Sequence, residues 1–377
     1  LERSLRRLPN LKVTLDVPKR LRPLLKQWCN VERVLLSQLS LMDLRKVSNA
    51  WVSNIRRKTN KLVVAAMTGQ APYIATWLST LFLPDLTALR LYDTNWSPPN
   101  SSQANDWAQV GHICAQNYPL TRLSLLSVTQ QHSPALLQAM GFQTTLEKLR
   151  VQGIETDWTA FGKALVQFPA LTCLKLDFCH LGNHLIHLSP FLGECTAMQI
   201  LNLSYNPLEP VDYRHLSRHL GRLTHLHTLS LLSARFNMGI LQMGPVLQSL
   251  PNLQHLDLQK TNWTETQLPQ LIDLLHGLTN LKQLNVSESC IQAPELQLLM
   301  SGLGSLQQLT HLDLSRNLLT DEGVALLAEL GPEWPHLLHL DVCKVGLTGL
   351  RFLATWGVGL ESLYLDGNAV KPEEWAI

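Results

Sequence analysis

The sequence predicts a right-handed α/β solenoid, a horseshoe with one parallel sheet on its concave side and helices on its convex side. Three observations predict it. An apolar signature recurs about every 28 residues along the 377-residue chain. Inside each unit a short run alternates apolar and polar residues, the two-residue period of a strand. A turn and a helical pattern follow each run, so successive strands are joined by crossovers and must lie parallel.

The signature, LxxLxLxxNxL, is clearest in Leu309-Thr310-His311-Leu312-Asp313-Leu314-Ser315-Arg316-Asn317-Leu318-Leu319. The same frame fits Met198 to Leu208 and Leu360 to Val370. Its first position falls on Leu86, Leu120, Leu146, Leu171, Met198, Leu226, Leu253, Leu281, Leu309, Leu337 and Leu360, in steps of 34, 26, 25, 27, 28, 27, 28, 28, 28 and 23. Three fainter units precede these, around Leu8-Leu11-Val13, Val31-Val34-Leu36 and Thr59-Leu62-Val64. The whole chain, 1–377, reads as a single solenoid: degenerate repeats over 1–85, regular repeats over 86–370, and a C-terminal cap or tail at 371–377.

Within each unit, positions 4 and 6 point to one side of the strand and join positions 1 and 11 in the core. Trp96 and Trp263 stand at position 11 and are expected inside. Position 9 turns inward, where its side chain must satisfy backbone groups left at the strand end. Asn206, Asn317 and Asn368 suit that task, while Thr94, Cys179, Thr261 and Ser289 offer fewer bonds. Val128, Ile154 and Val345 offer none, which predicts irregular turns there. The helix that follows is best seen after Trp263. Thr264-Glu265-Thr266-Gln267 has capping-box spacing, Leu268, Leu271, Leu274 and Leu275 form an inner stripe, and Gly277-Leu278 supplies a stop. The long step after Leu86 holds Ser97-Pro98-Pro99-Asn100-Ser101-Ser102, either a structural insertion or a loop on a binding rim.

Strand-plus-helix units of about 28 residues resemble leucine-rich repeats of the ribonuclease-inhibitor type, over the whole chain. The uneven steps and loose helix pattern look most like leucine-rich-repeat proteins of the bacterial effector group. The resemblance implies a protein-binding module and fixes the fold far better than the activity.

In such repeats the strand residues facing solvent are at positions 3, 5, 7 and 8. Position 5 reads Lys12, Leu35, Val63, Arg90, Ser124, Arg150, Lys175, Asn202, Ser230, Asp257, Asn285, Asp313, Asp341 and Tyr364, basic early and acidic late. The expected partner-binding residues are Arg90, Tyr92, Arg150, Lys175, Phe178, Asn202, Tyr205, Asp257, Asp313, Asp341 and Tyr364. Tyr and Arg are frequent interface anchors, and Arg90 with Tyr92 and Lys175 with Asp177 and Phe178 are the expected energetic centres. The strings His255-Leu256-Asp257, His311-Leu312-Asp313 and His339-Leu340-Asp341 put His and Asp on one face, as surface ion pairs rather than as a metal site.

Composition narrows the rest. Hydrophobic residues are 45% and charged residues 16%, too apolar for a disordered chain. A net charge of +2 names neither a nucleic-acid nor a membrane partner. Seven cysteines, an odd number without a CxxC pair, are expected to be reduced, in the cytoplasm or, for an effector, the host cytosol. No apolar run reaches the length of a membrane span, and the start at Leu1 without Met suggests a longer protein. GxSxG, HExxH and GxxxxGK[ST] motifs are absent. The reading is a cofactor-free, metal-free, monomeric module that binds a protein in the cytoplasm: an effector, an immune-receptor sensor, or a scaffold or inhibitor. The alternatives are the substrate-recognition part of a larger enzyme, such as a ubiquitin ligase, and RNA binding through the basic half.

Overall fold

The computed structural model describes residues 13–14, 33–36, 61–66, 75, 78–79, 84–93, 102–126, 132–141, 145–154, 156–349, 359–371 and 373. The chain divides into two compact units, Leu1–His180 and Leu181–Ile377. Each is an α/β solenoid segment of parallel strands alternating with helices.

In the first unit β1 (Val13–Thr14), β2 (Arg33–Leu36), β3 (Lys61–Ala66), β4 (Ala88–Asp93), β5 (Arg122–Leu126), β6 (Lys148–Gln152) and β7 (Cys173–Asp177) pair in chain order, every pair parallel. The register sets like position beside like position: Leu62, Leu89, Leu123, Leu149 and Leu174 lie side by side, each 2% exposed or less. That alignment lets one residue per repeat build a continuous core, which no repeat could close alone. The helices are α1 (Ser102–Asn117), α2 (His132–Ala139) and α3 (Trp158–Leu165). α3 shows how the sequence starts a helix: the Asp157 carboxylate accepts from the amides of Thr159 at 2.9 Å and Ala160 at 3.0 Å. Trp158 and Phe161 then meet edge to face in the core, ring centroids 5.3 Å apart.

In the second unit β8 (Ile200–Asn202), β9 (Thr228–Ser230), β10 (His255–Asp257), β11 (Gln283–Asn285), β12 (His311–Asp313), β13 (His339–Asp341) and β14 (Ser362–Tyr364) likewise pair parallel in chain order. α4 (Leu185–Leu192) precedes β8, and between the strands run α5 (Pro210–Leu220), α6 (Ile240–Gln248), α7 (Leu268–Gly277), α8 (Ala293–Gly304) and α9 (Thr320–Leu330). Leu201, Leu229, Leu256, Leu284, Leu312 and Leu340 form the buried stack at position 4. Trp263 is in the core, 6% exposed, while Trp96 and the loop at 97–101 lie outside the described residues.

The position-9 ladder is the internal frame of this unit. Asn317, fully buried, donates to the carbonyls of Val286 and Leu314 and accepts from the amides of Ser289 and Ile291, all at 2.9–3.1 Å. Asn368 repeats the pattern, donating to the carbonyls of Val342 and Leu365, while Asn206 donates to those of Leu203 and Ser204 and accepts from the Leu181 amide.

Two local expectations need correction. The turns at Ile154 and Val345 are regular despite their apolar position 9: the preceding residues Gly153 and Lys344 keep φ of 66° and 54°, like the 57° of Arg316 beside Asn317. At Val345 the next repeat supplies what the valine lacks, since Asn368 Oδ1 accepts from the amides of Val345, Gly346 and Leu347. The turn at Val128 lies outside the described residues. The capping box at Thr264 forms only by half. Gln267 Oε1 accepts from the Thr264 amide at 3.3 Å, but the Thr264 hydroxyl turns to Thr266, and regular helix begins at Leu268. Gly277 does close α7, for a packing reason: a Cβ there would lie 2.4 Å from the Gln248 side chain on α6.

Candidate partner-binding surface

Along β4 to β13 the strand residues at positions 4 and 6 are buried, and most of those at positions 3 and 5 are partly or fully exposed. In the first unit, Arg90 stands half-buried on β4, and Tyr92 follows it on the same strand, its side chain outside the described residues. Arg122 and Lys148 are adjacent in register and exposed. Arg150 and Lys175 are also adjacent, but they differ in state. The Arg150 guanidinium reaches diagonally across the strands to Asp177, Nε and Nη2 each 3.0 Å from Oδ2, and Nη2 also donates to Gln152. The expected positive stripe of Arg90, Arg150 and Lys175 is therefore corrected. Its middle charge is neutralised by an acid two positions further along the next strand. Lys175 has no ion pair among the described residues. Phe178, at the following turn, is 45% exposed.

The second unit sorts its face into rows. Position 3 gives Thr228, His255, Gln283, His311 and His339; position 5 gives Asn202, Ser230, Asp257, Asn285, Asp313, Asp341 and Tyr364. The anticipated His–Asp ion pairs within a strand are not formed among the described residues. Each position-5 oxygen instead caps its own strand end: Oδ1 accepts from the amide two residues on, in Asn202, Asp257, Asn285, Asp313 and Asp341, at 2.8–3.2 Å. Asp257 Oδ2 also accepts from Ser230 Oγ at 2.8 Å, and Ser230 is bonded in turn to Ser204. At this point the carboxylate meets serine directly, with no imidazole between them. His339 faces Glu361 at 3.8 Å, not Asp341.

The histidines contact one another. The rings of His311 and His339 lie 4.2 Å apart at 31°, and those of His227 and His255 6.2 Å apart. Desolvation, then the neighbouring histidines, hold His311 below the ordinary imidazole range; desolvation, then His255, does the same for His227. Burial foremost raises the Asp313 carboxyl, while bonds from Ser315 lower it and Asp341 and Asp257 raise it further. Among the described residues, no group of three or more His, Cys, Asp or Glu is placed to hold a metal ion.

Position 8, already among the expected solvent-facing positions, has a backbone conformation that the sequence reading did not foresee. In nine consecutive repeats its residue is left-handed, φ between 52° and 74°: Gly153, Phe178, Tyr205, Ser233, Lys260, Glu288, Arg316, Lys344 and Gly367. The glycines were the available signal, since only glycine adopts that conformation freely. Glu288 is held by Gln259 at 2.9 Å, Lys260 at 3.3 Å and Arg316 at 3.7 Å. Tyr205 is half-buried and Tyr364, on β14, is 48% exposed.

The strand pairing, the position-9 asparagines and the helix that follows each strand from β4 to β12 define one repeat, made many times. The family profile described as Leucine Rich repeat matches residues 305–328. Residues 305–328 therefore match one leucine-rich repeat. A crystal structure of an internalin from Listeria monocytogenes aligns over 91% of this chain and 92% of its own, with 17% sequence identity and a TM-score of 0.42. No curated protein matches in sequence.

Proposed function

We propose that this leucine-rich-repeat protein is a protein-binding module that receives its partner on the solvent-facing side of its sheet. The supporting observation is the left-handed row. A non-glycine residue in that conformation costs on the order of 1–2 kcal/mol, and glycine would fit without strain, as Gly153 and Gly367 do. Seven of the nine places nevertheless carry side chains, among them Phe178, Tyr205, Lys260, Arg316 and Lys344. Large aromatic and charged groups kept at the edge of the sheet against a conformational penalty fit a surface selected for contact.

On this reading the first unit offers Arg90, Tyr92, Arg150, Lys175 and Phe178. The second offers Asn202, Tyr205, Asp257, Asp313, Asp341 and Tyr364. The repeats are of the ribonuclease-inhibitor kind, spanning the chain as a solenoid. The protein works as a monomer on a protein rather than on a nucleic acid, without cofactor or metal. The uneven repeat steps support an effector-type role. The six described cysteines are all free, which supports a reducing compartment such as the cytosol. No described helix is long and apolar enough to cross a membrane. The test is kinetic. With a partner in hand, Phe178→Ala should speed dissociation, costing about 2 kcal/mol, and Lys175→Glu should slow association. Unchanged rates for both would move the contact off the first unit's face.

A further inference from the structure

We infer that the sheet face of the second unit, from β9 to β13, takes a partner segment rich in Lys or Arg at neutral pH and releases it as the histidine row charges. The inference deepens the binding reading above and rests on it.

The first argument is that the turns do not need the negative charge. Asn202 and Asn285 make the same cap as the aspartates, accepting from Ser204 at 2.8 Å and Ser287 at 2.9 Å. An amide thus suffices in two repeats of this unit, yet Asp257, Asp313 and Asp341 occupy the place in three others. None of the three has a cationic partner among the described ion pairs, and Asp313 is disfavoured as an anion by burial. Asp313 and Asp341 are nearest neighbours in register, and Asp257 lies two strands from Asp313. Strands stand about 4.8 Å apart, so an extended segment crossing them could set cationic side chains over the row. Complementary charge is what this row lacks and such a segment supplies.

The second argument is the pairing of the histidines that border that row. Facing His311 are His339 and Asp341 from β13, Glu361 from the approach to β14, Asp313 from its own strand, His255 and Asp257 from β10, and Lys282 just before β11. The two rings lie 4.2 Å apart, Thr310 Oγ1 is 2.8 Å from His311 Nδ1 and Glu361 is 3.8 Å from His339 Nε2, and with His311 held below the ordinary imidazole range that ring is uncharged at neutral pH beside the carboxylates. As pH falls, His311 gains a proton and places positive charge beside the carboxylates. A cationic segment is then repelled where it had been held. Bound, it must itself oppose that protonation, so binding near pH 6 should expel protons.

The probe is octalysine, with octaglutamate as control, measured on the intact chain by fluorescence anisotropy at about pH 7.4 and about pH 5.5. The unaltered protein should bind octalysine in preference to octaglutamate at the higher pH and about tenfold more weakly at the lower. Asp257→Asn with Asp313→Asn and Asp341→Asn keeps the caps, as Asn202 and Asn285 show, and should lose about tenfold at the higher pH. His311→Gln with His339→Gln should bind as the unaltered protein does at the higher pH and no longer weaken at the lower. Octalysine binding that ignores the aspartates, or a pH effect that survives the histidine substitutions, overturns the inference. A photo-crosslinking residue at Gln283 that captures a protein partner while octalysine fails would leave the binding reading intact and sink only this one. Failure of both would sink both.

Discussion

Replacing Asn317 by alanine should be among the most damaging single changes in the second unit. The side chain is wholly buried and makes four bonds: to the carbonyls of Val286 and Leu314, and from the amides of Ser289 and Ile291. Alanine leaves all four backbone groups without that partner. At about 1 kcal/mol net for each bond the loss is about 4 kcal/mol, more if the orphaned groups stay dry and less if water enters. Asn317→Asp is the sharper control. It keeps the acceptor for Ser289 and Ile291 but removes both donations and introduces a charge at a buried site, so it should be no milder. Because repeat arrays can unfold in parts, the readout is amide exchange at Ser289 and Ile291 together with urea unfolding. Both amides should exchange faster by orders of magnitude in either variant. A loss below about 1 kcal/mol with protection unchanged at both amides would refute the ladder as the frame of the unit.

Four other outcomes follow from the same geometry. The Thr261 hydroxyl is buried without a partner among the described residues, so Thr261→Val should be neutral or stabilising by up to about 1 kcal/mol in urea unfolding. Gly239→Ala should destabilise by about 2–3 kcal/mol, because its Cβ would lie 2.1 Å from the ring of fully buried Tyr213, whose hydroxyl is fixed on Ala234 at 2.6 Å; a neutral result would show that the ring can yield. Burial pushes the Cys114 and Cys179 thiols up to about 12, so alkylation near pH 8 followed by peptide mapping should find exposed Cys290 modified before either. His219, His227 and His311 are held below their ordinary value, first by desolvation. The stability they contribute is complete above about pH 6.5 and is lost as pH falls through their lowered folded values, so the thermal unfolding temperature should fall on acidification in that range.

Much of this architecture was legible because each repeat position has a single physical task. A leucine every few residues in a fixed frame can only build the stack from Leu201 to Leu340, and even the faint upstream repeats yielded strands at Val13, Arg33 and Lys61. The candidate surface was less legible, since its residues act across strands rather than along the chain. Arg150 and Asp177 are 27 residues apart in sequence, and only the register makes them diagonal neighbours. The aspartates at position 5 looked like partners of the histidines two residues before them, yet each is half engaged in capping its own turn. The left-handed row was hidden for a different reason: side-chain identity does not declare a positive φ unless glycine is present, and only Gly153 and Gly367 in the described column are glycines.

The central claim, that a protein partner lies on the sheet side, is tested most directly by site-specific photo-crosslinking. A photoreactive residue would be placed at Gln283, half-buried on β11, and separately at Gln297, exposed on α8. The account predicts a discrete crosslinked protein from Gln283, competed by unlabelled chain, and none from Gln297. Capture from Gln297 with none from Gln283 would put the partner on the helices and contradict the claim.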